Sequence, residues 1–249
     1  MKLKKQKEQK LHRIVVLNVQ AVVHHLLEEV YALSKYRLKY QKGEEARYIS
    51  HLDFVRTIGR TFKRANLPLK YTQGFNPHIV MSVALPISVG VLSDSEYMDV
   101  ELTESVSLSD LIKRINENIP MGLKILDAKK LNESDKSFNK IESAKYLVYV
   151  IGNGNIDLGR FLSLNEIIVE KKTKKGISDV DIKKDIKNIE YLGKENDFDV
   201  FVMHLSAGSS ANLKPETVLN AFEKFMDYKT EFFKVKRTNM YFENDINVF

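Results

Sequence analysis

The residue types best suited to chemistry gather between positions 47 and 78 of this 249-residue chain. His51, Asp53 and His78 are the weak catalytic candidates. Imidazole and carboxylate serve as acid–base groups, and together they suit iron or zinc. No His-x-x-x-His or Glu-x-x-His spacing accompanies them, and no activated nucleophile stands nearby. No metal or cofactor is therefore expected. A second set is cationic: Arg56, Arg60, Lys63 and Arg64 fall on one side of a predicted helix, a row whose i, i+4, i+8 members span about 12 Å at roughly 1.5 Å per residue. Guanidinium forks suit phosphate, and the alternative is an ordinary solvated face. A third set is the segment from Tyr71 to His78, where Gln73, Asn76 and His78 mix donors and acceptors beside Tyr71 and Phe75. Such a mixture suits an unstacked base, with an aromatic face for stacking and amides for the base edge. The alternative is a rigid turn whose polar side chains cap their own backbone.

Two helices and several strands must position these groups. Ser50-x-x-Asp53 is a capping-box-like start, and Leu52, Val55, Ile58, Phe62 and Ala65 predict a helix that stops before Leu67-Pro68. Asp53, at the helix start, favours the dipole and pairs with Arg56. Alternation predicts strands at Tyr36–Tyr40, Ile79–Leu85 and Glu96–Leu102, with a second helix capped by Ser107 and a closing strand at Leu123–Leu131. The order strand, helix, strand, strand, helix, strand is the split βαβ, ferredoxin-like arrangement.

The second half repeats it less clearly. Lys145–Ile151, Glu166–Lys171, Asp199–Leu205 and Phe233–Phe242 predict strands. Asp157–Leu164 and Pro215–Met226 predict helices, the latter with proline at its first position. Val180–Leu192 carries Ile182, Ile186 and Ile189 at helical spacing. The expectation is an α+β chain of two tandem ferredoxin-like domains with an N-terminal helical extension. Residues 1–34 form the extension, 35–131 the first domain, 132–144 a linker, and 145–249 the second domain with an insertion at 172–195. Within the extension, residues 11–33 read as one amphipathic helix behind a lysine-rich start.

Composition narrows the function classes. The chain has no cysteine, which excludes disulfides, thiolate zinc sites and any iron–sulfur cluster of its own. No run of eighteen apolar residues exists to span a membrane, and the basic start lacks a small-residue cleavage site, so the cytoplasm is expected. Net charge is +6, but residues 35–80 hold ten Lys/Arg against three Asp/Glu, and residues 93–135 hold five against ten. This polarity points to phosphates or an acidic partner on one side, unless the two segments neutralise each other. The run Lys171–Lys175 is a phosphate-contacting arm or a solvated turn. Gly208–Pro215 leads into a helix N-terminus but lacks Walker spacing.

The motifs Arg47-Tyr-Ile-Ser-His-Leu-Asp53, Arg56, Arg60, Arg64-Ala-Asn-Leu-Pro68 and Tyr71-Thr-Gln-Gly-Phe-Asn-Pro-His78 resemble those of the radical-SAM-linked protein family. So do Ala84-Leu-Pro86, Val89-Gly90 and Glu96-Tyr-Met-Asp99-Val-Glu-Leu102. Weaker signatures are Lys175-Gly176, Asp181-Ile182, Gly208-Ser209, Asn212-Leu213-x-Pro215-Glu216 and Arg237-Thr238, and the resemblance covers roughly residues 36–242. It implies a bacterial protein encoded beside, or fused to, a radical SAM protein with a cobalamin-binding domain, near genes of RNA processing and the ribosome. Without a CxxxCxxC this chain would be the partner. Arg237 joins the candidate phosphate contacts through this resemblance. The leading expectation is an RNA-binding accessory protein that presents RNA for modification. Its rivals are a stand-alone RNA-processing enzyme, a protein-interaction adaptor that makes no RNA contact, and a small-molecule carrier.

Overall fold

The computed structural model describes residues 33–173 and 176–249. The helix expected over 11–33 lies outside the described residues but for Leu33, and so do the side chains of the basic run 171–175.

Strand β1 (Ser34–Lys42) buries Tyr36, Leu38 and Tyr40 on one face and Arg37 on the other. Helix α1 (His51–Arg64) follows, capped as its sequence predicts: the Asp53 amide donates to Ser50 Oγ at 3.2 Å. Its buried stripe is Phe54, Ile58, Phe62 and Ala65, which recur every four residues or nearly so. Leu52 was expected on that stripe, but it is 66% exposed. Six residues separate it from Ile58, which at 3.6 residues per turn places it about 120° away. Strands β2 (Met81–Val83) and β3 (Leu92–Leu102), helix α2 (Leu108–Asn116, capped by Ser107) and strand β4 (Leu123–Lys130) complete the first half.

The second half runs β5 (Ile141–Gly154), the short α3 (Leu158–Ser163), a hairpin of β6 (Ile168–Thr173) and β7 (Gly176–Asp181), β8 (Ile186–Glu195), β9 (Phe198–Ser206), α4 (Pro215–Phe225) and β10 (Tyr228–Phe242). Residues 180–192 were expected to be helical, and are not. A 3₁₀ turn at Lys183–Asp185 leads into β8, whose register shifts between Ile186 and Asn188. Such a bulge adds one residue, so Ile186 and Ile189 reach the same face at a spacing of three, which imitates a helix in the sequence. The expected linker is also shorter, because β5 begins at Ile141.

The expected pair of four-stranded sheets is one eight-stranded sheet of order β4-β1-β3-β10-β5-β9-β8, with β2 also on β3. Every pairing in it is antiparallel except the seam, where β10 runs parallel to β3 over Lys236↔Leu92 and Arg237↔Ser93. Two apolar clusters lie on either side of this seam. One packs α1 and α2 against β1 and β3 through Ile58, Phe62, Leu111 and Ile115. The other packs α3 and α4 against β5 and β9 through Phe161, Phe201, Phe222 and Val148. Arg37 closes the opposite face of the first half. It makes a bidentate pair with Asp99 at 2.8 and 3.0 Å and also donates to the carbonyls of Lys136 and Val248, so linker and C-terminal tail fold over it. No helix among the described residues is long and apolar enough to cross a membrane.

Candidate functional site

Helix α1 and the loop after it bring most of the predicted site residues together. Gly59 lets the loop approach: a Cβ there would stand 3.4 Å from Ile79 Cδ1. Tyr71 bridges to Ile79 and lies under Lys63, whose Nζ is 5.9 Å from the ring centroid. The loop is pinned at its neck, where Thr72 N–H donates to the His78 carbonyl (2.8 Å) and His78 N–H to Thr72 Oγ1 (3.0 Å). Gly74 turns it at φ 121°, a conformation that costs glycine little. Only Thr72 caps the backbone. The side chains of Gln73, Asn76 and His78 make no hydrogen bond among the described residues, and the Phe75 ring projects fully into solvent. The turn is held at its neck, and its polar side chains are uncommitted.

Arg56, Arg60, Lys63 and Arg64 are all exposed. Arg56 pairs with Asp53 at 3.2 Å, and Arg64 donates to the Asn118 carbonyl at 2.7 Å. Arg60 and Lys63 have no carboxylate partner among the described residues. The acidic segment is different. Asp94, Glu96, Asp99, Glu101, Asp110, Glu117 and Asp135 are each paired with a lysine or arginine. Seven of its ten carboxylates are thus in ion pairs, whereas Arg60 and Lys63 of α1 stay open.

Of the weak catalytic candidates, Asp53 is engaged at the start of α1 and the two histidines are exposed. Asp53 accepts from Ser50 Oγ at 2.8 Å and from Arg56, and these bonds hold its carboxyl below the usual range. His51 is exposed at the first turn of α1, and His78 is exposed in the loop. Among the described residues no three His, Asp or Glu gather as metal ligands. A serine, a histidine and an aspartate do meet elsewhere: His204 Nε2 lies 2.8 Å from Ser143 Oγ and 3.6 Å from Asp245. Both address the same ring nitrogen, whereas a catalytic triad needs one on each side of the imidazole.

Arg237 is not with the phosphate set. It is buried at the seam, where Nε and NH2 grip Glu96 at 2.8 and 2.6 Å and NH2 also donates to the Leu85 carbonyl at 2.7 Å. Burial works against its charge, but the attraction and hydrogen bonds of Glu96 override it and raise its pKa. It helps to build a feature that sequence reasoning missed. A cleft of about 320 Å³ lies over the seam between the two halves, lined by Leu85–Val91 and Arg47 on one side and by Tyr146, Asn212, Lys214, Pro215, Glu216, Phe233, Val235 and Arg237 on the other.

Cations fasten the loop of this cleft at both ends. Arg237 holds Leu85, which adopts φ 33°, and Arg47 Nε donates to the Gly90 carbonyl at 2.8 Å. The buried Lys42, its pKa lowered by desolvation, donates to the carbonyls of Arg47 and Val91. One signal was present in the sequence: Arg47, Ala84-Leu-Pro86, Val89-Gly90, Asn212–Glu216 and Arg237 were all motif residues, and of these Arg237 was expected to be a phosphate contact.

Comparison with known proteins gives a family but no activity. No curated protein matches the chain. A solved structure described as "Crystal Structure of an Unknown Protein from Galdieria sulphuraria" aligns at 13% identity, covering 82% of this chain and 98% of that one, with a TM-score of 0.26. The family described as "Uncharacterized protein conserved in bacteria (DUF2344)" matches residues 35–215, a span that holds α1, the Phe75 loop and most of the cleft. The chain belongs to that bacterial family.

Proposed function

We propose that this protein is a cytoplasmic RNA-binding accessory protein that presents single-stranded RNA to a radical SAM partner with a cobalamin-binding domain. The observation that carries the RNA reading is the fully exposed Phe75 ring on a pinned loop beside the open cations of α1. An exposed phenylalanine adds nothing to the core, while a ring beside cations offers a base its stacking face and a phosphate its counter-charge. The pairing of seven of the acidic segment's ten carboxylates with lysines and arginines of the same chain speaks against an adaptor that docks through an acidic surface. The radical SAM partner rests on the resemblance of the motifs alone.

At the level of fold we read each half as a split βαβ unit. The orders β4-β1-β3-β2 and, with the β6–β7 hairpin set aside, β10-β5-β9-β8 support this, since both follow the pattern fourth, first, third, second.

Phe75→Ala tests the function. A base stacked on the ring contributes roughly 1–3 kcal/mol, so affinity for a short single-stranded RNA should fall by one to two decades with the melting temperature unchanged. His78→Ala should act in the same direction. Unchanged affinity in Phe75→Ala would remove the loop from the site. An RNA turnover by the isolated protein that is abolished in His78→Ala, with binding intact, would make the protein an enzyme.

A further inference from the structure

We infer that the cleft over the β3–β10 seam is a nucleobase pocket, which takes one unstacked nucleotide of the strand that lies along α1. This inference deepens the RNA reading and rests on it.

The shape and chemistry of the cleft suit a base. Its volume of about 320 Å³ reaches the range of small-ligand pockets, roughly 300 Å³ and above. Pro86, Ile87 and Val91 face it from the first half, Phe233 and Val235 from the second. A flat ring with apolar faces fits between such walls. The deepest lining residues are Tyr146, Val235 and Arg237, all buried. Burial raises the pKa of the Tyr146 phenol, so its hydroxyl stays a donor. Ser88 and Asn212, exposed at the mouth, add a hydroxyl and an amide for a base edge.

The mouth is equipped for the sugar–phosphate. Lys214 is exposed there, and its ammonium has no ion-pair partner among the described residues. Arg47 stands opposite, its guanidinium 5.5 Å from the Tyr48 ring centroid and 3.5 Å from the exposed Glu44 carboxylate, and Glu216 is the one carboxylate of the lining among the described residues. At the rim of the cleft Val89 is 56% exposed, and outside it Tyr48 and Leu52 are 72% and 66% exposed. No core needs these three, and Pro86 and Ile87 of the cleft share a small depression with Ser50 and His51 at the start of α1. Leu52, Arg56, Arg60 and Lys63 fall within about 80° of one another around the helix. One exposed stripe therefore runs from the Phe75 loop, past the cations, to the mouth of the cleft. A strand on that stripe meets the pocket at its end.

The test is a methyl-labelled NMR titration of the whole chain with each of the four ribonucleoside monophosphates, then with a nine-nucleotide single-stranded RNA. Mononucleotides should shift the methyl signals of Ile87, Val89, Val91 and Val235, and the RNA should shift these together with Ile79 beside α1. Ser88→Trp, which fills the mouth from an exposed position, should weaken the RNA about tenfold, within the contribution of one base, and leave its salt dependence unchanged. Cleft methyls that stay still with every mononucleotide and with the RNA would overturn the inference. So would undiminished RNA affinity in Ser88→Trp. If the RNA shifts only Ile79, the cleft inference fails and the RNA reading stands. If mononucleotides fill the cleft but no RNA binds, the pocket stands and the RNA reading fails.

Discussion

Replacing Arg237 by methionine should destabilise this protein strongly, because it breaks the buried ion pair at the seam. The guanidinium is 3% exposed and Glu96 not at all. The substitution would leave a carboxylate in the interior without its counter-ion, a situation that typically costs about 3–5 kcal/mol. It also releases the Leu85 carbonyl, whose lost hydrogen bond contributes about 1 kcal/mol. Domains have stabilities of only about 5–15 kcal/mol. At roughly 2–4 °C per kcal/mol for a chain of this size, the melting temperature should fall by about 8–24 °C. Glu96→Met strands the arginine instead and should cost a similar amount. The double variant removes both charges, so it should be much less unstable than the sum of the singles, because apolar replacement of a buried pair is often close to neutral. Urea unfolding of the three variants measures the cycle. A loss below about 1 kcal/mol for Arg237→Met, or additive losses in the double variant, would show that the pair is not the anchor of the seam, and the account of the cleft would lose its floor.

Two further outcomes follow from the same geometry. Ser50→Ala should lower stability by about 1 kcal/mol through loss of the cap, and the Asp53 carboxyl, held low first by Ser50 and then by Arg56, should titrate higher by NMR. Burial depresses the His204 pKa below 6.5. The unfolded chain then binds the proton first, so this contribution to stability is present above the unfolded value and lost as pH falls through the folded one. His204→Gln should flatten the fall in stability between about pH 7 and 5, and an unaltered pH profile would show that the imidazole is not desolvated.

Much of the fold was legible because its signals are local. Ser50 and Ser107 announce their helices by hydrogen bonds within three residues, and Pro215 does so by its fixed φ. The bulge in β8 was not legible, because an extra residue in a strand gives Ile186 and Ile189 the spacing of a helix. Leu52 was misplaced because an apolar residue near a helix start reads as core, while the stripe around Ile58 excludes it. Arg56, Arg60 and Lys63 could be found from periodicity alone. The role of Arg237 could not, since its partner Glu96 lies 141 residues away and only the parallel seam brings them together. The cleft needed five distant segments at once, so most of its residues stood out only as motifs.

The salt dependence of RNA binding tests the central claim most directly. The measurement is the affinity of a short single-stranded RNA over a range of salt concentrations, for the natural chain and for the Arg56→Ala/Arg60→Ala/Lys63→Ala variant. These cations are exposed, so folding should be nearly unaffected. Each phosphate neutralised on a single strand contributes about 0.7 to the slope of log affinity against log salt, so the variant's slope should be shallower by about two and its affinity lower at every concentration. An equal slope in both proteins, or no RNA affinity in the natural chain, would contradict the account.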